Sequence, residues 1–545
     1  MIVLGLSGGH DANFCVVRDG EVLGAWEKER FTRRRHDFGD VTPYLGGALT
    51  WLGLTPDDID LVATSEPIRA GLGPGHTVLR GDRYDRPDAW THQRVEVLGR
   101  RYPAVSIPHH LAHAAYARYL SPAPSTAVIT WDAGGDVGSG ASCSTTVSSW
   151  TGPRLDSLER IEGANLGSLW YLYAHAVFGD EHTAGKLMGL SARGTDSLDE
   201  AFGAAFVASA PSSFGAVPIV RVTRAQFSSP PHAEGARGWH RPRAGDVAHA
   251  VQQVTTTTGL ALARRVQEAT GTRHLALAGG VALNGYLNEA IRRDAGFDDV
   301  FVPPAVDDGG LSVGCALFAS HHVAEVPWPG AAFPREFLGY AHDDLAVSGH
   351  GAGDALDQRI GRLGLTVKPV DAPEAEQLAI DALVQGETIA WFEGRAEHGP
   401  RALGHRSILS LADHPDRRDH LNRIKGREPF RPVAPVVLEE DLVRWFAGAG
   451  PSPWMMFIVP GTDVAARDIP AAIHDDGTAR VQTVTPATAL GRLVAGVRQA
   501  TGIGCVINTS FNIGAPIVES PDDAVTTFAG SGLDRLFLPG RLVLA

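Results

Sequence analysis

Apolar and polar positions alternate in short blocks from the first residues onward. Val3-Leu4-Gly5-Leu6 leads into Ser7-Gly8-Gly9-His10-Asp11, then come Phe14-Cys15-Val16-Val17, Asp19-Gly20 and Glu21-Val22-Leu23-Gly24-Ala25-Trp26. Asp-Gly between apolar runs is a strong hairpin signal, so residues 2–31 predict strand, glycine loop, strand, turn, strand. The layout recurs after residue 125. Ala127-Val128-Ile129-Thr130-Trp131 runs into Asp132-Ala133-Gly134-Gly135-Asp136, followed by a strand over Ser144–Trp150, a Gly-Pro turn and a further strand-like run. Two copies of strand, acidic glycine loop and hairpin predict a duplicated α/β domain with a cleft between its halves.

A helical pattern spans residues 247–267 and leads to a strand over His274–Ala278. Gly279-Gly280-Val281-Ala282-Leu283-Asn284 follows, with a helix beginning near Tyr286. Strand, paired glycines and helix form a place where backbone can approach a phosphate closely. The duplicated layout resembles that of the actin/Hsp70/sugar-kinase superfamily. Residues 341–355, with Gly349, Gly351 and Gly353, read as a linker between a first domain over 1–340 and a second over 356–545. The basic residues of the second fall in short loops instead of helical stripes.

At 545 residues the chain exceeds one ordinary hydrophobic core, so two to four lobes are expected. A hydrophobic share of 44% with 20% charged residues is that of a soluble globular protein. The formal net charge of −14 argues against nucleic acid or an acidic membrane as main partner, while leaving room for local cation clusters that hold anions. No apolar run approaches bilayer length, and the N-terminus lacks the basic flank of a signal peptide. Cys15, Cys143, Cys315 and Cys505 are far apart without a CxxC pair, so a reducing cytoplasm is the expected setting.

Two sets of residues carry chemistry. In His109-His110-Leu111-Ala112-His113-Ala114, His109 and His113 are four apart, which on a helix puts both imidazoles on one side at a spacing suited to one divalent metal. Capping or surface histidines are the plain alternative in a chain with 22 of them. Asp132, after a strand, and Asp308, in Asp307-Asp308-Gly309-Gly310, can complete a two-His, two-carboxylate set, although aspartate beside glycine is also common in turns. In the second domain Arg401 and Arg406 lie in Gly-Pro-Arg-Ala-Leu-Gly-His-Arg-Ser, and Lys425, Arg427 and Arg431 in Lys-Gly-Arg-Glu-Pro-Phe-Arg-Pro. Arg480 lies in Asp-Gly-Thr-Ala-Arg-Val-Gln-Thr, with Asn508 and Ser510 in Asn-Thr-Ser-Phe-Asn. Guanidinium forks suit phosphate and carbamoyl oxygens, at roughly 1.5–3 kcal/mol per charge-assisted bond. Surface salt bridges are the competing reading, weakened because no carboxylates stand at helical spacing to pair these arginines.

Together these segments resemble the NodU/CmcH O-carbamoyltransferase family over nearly the whole chain. His10-Asp11-Ala12, the Glu-Lys-Glu-Arg-Phe-Thr-Arg run from Glu27, the His109–Ala114 motif, Gly185-Lys186-Leu187-Met188-Gly189-Leu190, Gly279–Asn284 and Asp308-Gly309-Gly310 carry the likeness, as do the four C-terminal motifs. One departure stands out: Ser191-Ala192-Arg193-Gly194 replaces the usual Ala-Pro-Tyr run.

The resemblance implies a TsaD-like first domain and a YrdC-like second one. It implies ATP, with Mg2+, and carbamoyl phosphate as co-substrates. Carbamoyladenylate and pyrophosphate form first; a hydroxyl of a small-molecule acceptor then takes the carbamoyl group and AMP leaves. Lys425, Arg431 and Arg480 match the family's substrate-phosphate contacts, with Arg401, Arg427, Asn508 and Ser510 beside them. His109, His113, Asp132 and Asp308 match its metal ligands, with Fe2+ as the implied ion; Asp307 is a rival for the last place. Gly279, Gly280 and Asn284 fall where the related fold holds adenosine, and His10 or Asp11 can position or deprotonate the alcohol. Acceptor identity is open; a macrolide or polyketide glycoside in natural-product tailoring is the first expectation. The alternatives are carbamoyl transfer to tRNA, which should show a basic face, and a nucleotide-binding regulatory protein of the actin/sugar-kinase superfamily, which needs no second polyanion site.

Overall fold

The computed structural model describes residues 1–65, 77–80, 90–134, 137–138, 141–142, 144–330, 336–342 and 351–545. Cys143, Gly135, Asp136 and most of the expected linker lie outside them. The chain divides into two compact units, one of Met1–Lys28 and His36–Arg335, the other of Glu29–Arg35 and Glu336–Ala545. The division therefore falls a few residues before the expected end at 340. Residues 351–355, read as linker on their glycines, instead begin a helix over Gly351–Arg362. Among the described residues no helix is long and apolar enough to cross a membrane.

The two larger sheets of the first unit share a five-strand arrangement. In the first, Ile2–Ser7 pairs antiparallel with Asn13–Arg18, which pairs antiparallel with Glu21–Glu27. On its other edge Ile2–Ser7 runs parallel to Leu61–Thr64, itself parallel to Arg100–Ser106. In the second, Ser125–Trp131 pairs antiparallel with Thr145–Thr151, then Arg154–Arg160 follows. Its other edge runs parallel to His274–Ala278, which is parallel to Asp299–Phe301. This five-strand arrangement occurs twice, as the repeated hydrophobic pattern predicts, and the first sheet carries two further strands, Thr91–Val97 and Thr77–Arg80, beyond Arg100–Ser106. The first hairpin turns through Asp19 at φ 50° and Gly20 at φ 85°, the left-handed pair that matches strand twist.

Helices His109–Leu120 and Leu311–Phe318 pack against each other with every residue buried. They approach so closely that a Cβ on Gly314 would lie 2.0 Å from the Ala112 carbonyl oxygen. Asn13 ties this contact to the sheet. Its amide donates to the carbonyls of Asp11 and Asp308, both at 2.7 Å, and accepts from the Ser312 N–H at 3.0 Å.

The second unit is built on an eight-stranded mixed sheet. Its order is Thr366–Pro369, Arg541–Leu544, Arg535–Leu538, Ile389–Phe392, Arg406–Leu411, Cys505–Ser510, Ala434–Leu438 and Gln482–Val484. Helices Ala372–Val384 and Ala489–Thr501 bury Ala379, Leu383, Leu493 and Val497 against Leu409, Val436 and Val506. The segment Glu29–Arg35 is held by carbonyls: Arg30 Nη2 donates to Gly399 at 2.9 Å, and Arg33 to Ile517 and Pro516, both at 2.6 Å.

Gly314→Ala should destabilise the protein by about 2–4 kcal/mol, because one methyl group must push two backbones apart. Denaturant unfolding followed by far-UV circular dichroism measures the loss, and an unchanged midpoint would contradict the packing described.

Candidate functional site

The close approach of the two buried helices determines the first unit's chemistry. His109 and His113 sit one turn apart on the first helix, and Asp308 stands just before the second. Asp132 follows the strand Ser125–Trp131. His109 Nε2 lies 3.0 Å from Asp132 Oδ2 and 3.5 Å from Asp308 Oδ1. His113 Nε2 lies 3.1 Å and 3.2 Å from the same two atoms, and 3.2 Å from His109 Nε2. Burial alone would push the Asp132 carboxyl up, but hydrogen bonds from His109 and His113 hold it well below the usual range. Burial likewise opposes charge on His113, while Asp132 and Asp308 carry its pKa upward.

These four atoms lie within 4.8 Å of one another. The imidazole rings cross at 75°, so their in-plane lone pairs converge. Bonds of ~2.1 Å in a tetrahedron separate ligand atoms by about 3.4 Å, so this N2O2 set fits a divalent iron, manganese or zinc ion. Asp307 is placed differently. Its Oδ1 is buried without a hydrogen-bond partner. Burial first, then the charges of Asp11, Glu27 and Asp308, raise its pKa well above the usual carboxylate value.

The cluster opens on a cavity of about 500 Å3 lined by His10, Asp11, His109, Asp132, Gly280, Asn284 and Asp308, together with His36, Tyr171 and His182. His113 and Gly279 do not line it. Gly279 has φ 84°, and a Cβ there would meet the Trp131 carbonyl at 2.1 Å, so this turn requires glycine. Asn284 has a structural duty beside any other: it exchanges two hydrogen bonds with Gln252 and caps the helix Gly285–Asp294.

In the second unit the cations gather around the end of the strand Cys505–Ser510. Lys425 caps the helix Asp416–Ile424 and is not in a free loop. Its Nζ donates to Asn512 Oδ1 at 2.7 Å, to Ser510 Oγ at 3.2 Å and to the Ser510 carbonyl. Arg427 Nε donates to Asn422 at 2.7 Å, and its buried Nη2 has no hydrogen-bond partner among the described residues. Arg431 pairs with Glu428 at 3.6 Å, three residues before it, so this arginine, contrary to the expectation from sequence, does have a carboxylate at helical spacing. Arg35 Nη2 donates to the Ala515 carbonyl at 3.3 Å, an oxygen that Asn512 also uses at 2.6 Å. Burial first, then Arg427, Arg35 and Arg431, push the Lys425 pKa well down. Like charges crowded in this way are relieved by a bound anion.

Asn508, two residues before Ser510 and on the same face of its strand, donates to Gln482 Oε1 at 2.9 Å and to the Ala402 carbonyl at 3.1 Å. Arg480 ends the strand Thr478–Arg480, two residues before Gln482, and Arg401 is buried beside Ala402. Arg406 is spent otherwise. It lies 3.6 Å over the Phe392 ring and donates to the carbonyls of Glu393, His405, Tyr340 and Gly394, which makes it a structural residue.

The family model described as carbamoyltransferase N-terminus matches residues 89–317, and the carbamoyltransferase C-terminus model matches residues 380–544. The chain belongs to the NodU/CmcH carbamoyltransferase family. It is 31% identical to nodulation protein NolNO of Sinorhizobium fredii over all of this chain and 82% of that protein. It is 29% identical to nodulation protein U of Bradyrhizobium diazoefficiens over 94% of this chain and 92% of that protein. A crystal structure of full-length HypF, in a phosphate- and nucleotide-bound form, aligns with 61% of this chain and 47% of that one at 15% identity and a TM-score of 0.35. This carbamoyltransferase is therefore an enzyme.

His36, His182, Asn13, Asn512 and Arg35 were not singled out by sequence reasoning as site residues. Asn512 stands inside the Asn508–Asn512 motif, Asn13 directly follows His10-Asp11-Ala12, and Arg35 and His36 come two and three residues after the Glu27 run. His182 stands four residues before Lys186 with no local mark.

Two outcomes are expected. Asp308→Asn should weaken retention of a divalent metal by about 10- to 100-fold, and Asp307→Asn by far less, measured as metal content after dialysis against a graded chelator. Sulfate, which carries a constant charge here, should bind the second unit more tightly as pH falls. Its charge favours protonated Lys425, whose pKa is depressed without an anion, so binding takes up a proton; calorimetry in buffers of different ionisation enthalpy reads that uptake.

Proposed function

We propose that this carbamoyltransferase is an ATP-dependent O-carbamoyltransferase that forms carbamoyladenylate from carbamoyl phosphate and passes the carbamoyl group to a hydroxyl of a natural product. The observation that carries this reading is the crowding of Lys425, Arg427, Arg431 and Arg35 around Ser510 and Asn512, with Glu428 as the carboxylate ion-paired within it. A regulatory nucleotide-binding protein has no use for such a second anion site.

In this reading the second unit, Glu29–Arg35 with Glu336–Ala545, is a YrdC-like domain that makes the adenylate. Lys425, Arg431 and Arg480 hold the phosphates of the two substrates, and Arg427, Arg401, Asn508 and Ser510 orient them. The cations screen the repulsion between carbamoyl phosphate and ATP, and that screening makes it possible to bring two polyanions together. Water first cleaves carbamoyl phosphate to carbamate and inorganic phosphate. Carbamate oxygen then bonds to the α-phosphorus of ATP, with Mg2+ as the nucleotide's own partner, and pyrophosphate leaves with the electron pair of the broken P–O bond.

The TsaD-like first unit is the transfer site. Gly280 and Asn284 stand where the adenosine moiety is held, and a Cβ at Gly280 would come within 3.4 Å of Asp132 Oδ1, so this glycine leaves room beside the N2O2 set. His109, His113, Asp132 and Asp308 would hold a divalent ion, with Fe2+ our assignment, and that ion would supply positive charge against the phosphate of the adenylate. His10 or Asp11 positions the acceptor hydroxyl and takes its proton as the hydroxyl oxygen bonds to the carbamoyl carbon, and AMP leaves with the electron pair of the broken C–O bond. A macrolide or polyketide glycoside in the cytoplasm is the acceptor class we favour.

Carbamoyl phosphate-dependent pyrophosphate release without acceptor tests the first half, and a screen of polyols, aminoglycosides and glycosylated macrolides tests the second. Arg480→Ala should lower pyrophosphate release by about 100-fold or more. His113→Ala should keep that release and lose carbamoylated product. Loss of both by folded His113→Ala protein would rule out two separate sites.

A further inference from the structure

One group of side chains in the first cavity lies outside the N2O2 set. Asp11 Oδ2 pairs with His10 Nδ1 at 2.6 Å, and Asp11 Oδ1 with His36 Nδ1 at 2.8 Å. His10 Nε2 in turn faces His182 Nδ1 at 3.2 Å. The three rings stack, with centroids 4.9, 4.8 and 5.3 Å apart and interplanar angles of 21°, 22° and 27°.

His10, Asp11 and His36 also offer three donor atoms within 4.8 Å, which raises the question of a second cation. Ring orientation argues against one. Imidazole lone pairs lie in the ring plane, so near-parallel rings aim them side by side, unlike His109 and His113, which cross at 75°. Each oxygen of Asp11 instead takes one imidazole nitrogen, which is the pattern of a hydrogen-bonded array.

The backbone is built to hold that array. Asp11 and His36 both adopt φ 55°, a left-handed conformation that non-glycine residues rarely keep without outside support. Two cross-links supply the support: Ala12 N–H donates to the Asp37 carbonyl and Gly39 N–H to the Gly8 carbonyl, both at 2.9 Å. Lys28 Nζ adds a bond to the Phe38 carbonyl at 2.6 Å. The 8–12 loop and the 36–39 loop are thus zipped together with the Asp11–His36 bond across them.

We propose that His36 is a positioning residue for carbamoyl transfer: it fixes the Asp11 carboxylate, which holds the His10 ring with its Nε2 edge toward His182 and the cavity. The proposal rests on the reading of this cavity as the transfer site. His36 touches neither acceptor nor adenylate in this scheme and acts only through Asp11. The titratable groups facing His10 are Asp11 from its own loop, His36, His182, and Asp307 and Asp308 from the second helix's approach. The hydrogen bond to Asp11 is the largest influence on His10; burial opposes it, and the charges of Asp11, Asp308 and Asp307 add to it, raising the pKa to about 9.

The test is an NMR titration of the His10 ring in the full-length protein, assigned by its absence in His10→Gln, with metal content matched between samples. Three variants separate backbone from side chain. His36→Ala removes the donor and keeps the strained φ; His36→Gly removes the donor and relieves φ; His36→Asn tolerates φ > 0 and restores an N–H where Nδ1 stood. The expected result is a fall in the His10 pKa of about one unit or more in the alanine and glycine variants, with asparagine returning it to within about half a unit of wild type. A glycine variant that titrates with wild type would show that only backbone geometry matters and would overturn the proposal. A rise on loss of His36 would overturn it too, since that is what a mere neighbour competing for Asp11's charge would produce. Should the alanine variant fail to fold, the glycine and asparagine pair decides alone. The measurement needs neither carbamoyl phosphate nor acceptor, so its failure leaves the transfer reading to the pyrophosphate and product assays.

Discussion

The contact between the helices His109–Leu120 and Leu311–Phe318 is the constraint on which the first unit depends. With no side chain at Gly314, and Ala112 opposite it, two backbones meet at a distance that any larger residue would forbid. That approach brings Asp308, 195 residues from His113, to within 3.2 Å of it. Asn13 then spends its whole amide on the same junction, joining the first glycine loop to the start of the second helix. Packing here precedes chemistry: the donor atoms converge because the helices cannot sit elsewhere.

The two units handle buried charge in opposite ways. In the first, imidazoles and carboxylates compensate each other locally, and Asp307, set apart from them, has its pKa pushed up by burial and by neighbouring carboxylates. In the second, cations face cations. Lys425 is driven toward neutrality, while the guanidinium of Arg427 keeps its charge and one unsatisfied buried N–H. A site with that imbalance is costly when empty and gains much from an anion, which is the usual way of matching a pocket to a highly charged guest.

Much of this was legible in the chain. The period-two runs with the Asp19-Gly20 and Gly152-Pro153 turns predict the two hairpins, and the repeated pattern predicts the five-strand arrangement that both larger sheets share. His109, His113, Asp132 and Asp308 were named from spacing and resemblance, although only three-dimensional closure separates Asp308 from Asp307. Other features had no local signal. His182 meets His10 across 172 residues, and the left-handed backbone of Asp11 and His36 is imposed by loop cross-links, which no residue preference announces. Gly349, Gly351 and Gly353 suggested a linker because glycine is a poor helix former, yet a helix with a strong apolar face starts at Gly351 and overrides that preference. The strand order of the second unit was not readable at all, since its sheet interleaves strands from opposite ends of the segment.

The segment Glu29–Arg35 has a consequence for how such a protein can be taken apart or recombined. Neither unit is a continuous stretch of chain, because the second includes seven residues encoded near the start of the first. A fragment beginning at residue 336 would leave the carbonyls of Gly399, Pro516 and Ile517 without the guanidinium groups that bond them here. Gene fusion or fission at the apparent boundary would therefore separate a domain from a part of itself. Evolution can exchange the large halves of this enzyme among relatives only if the short early segment travels with the distant half it serves.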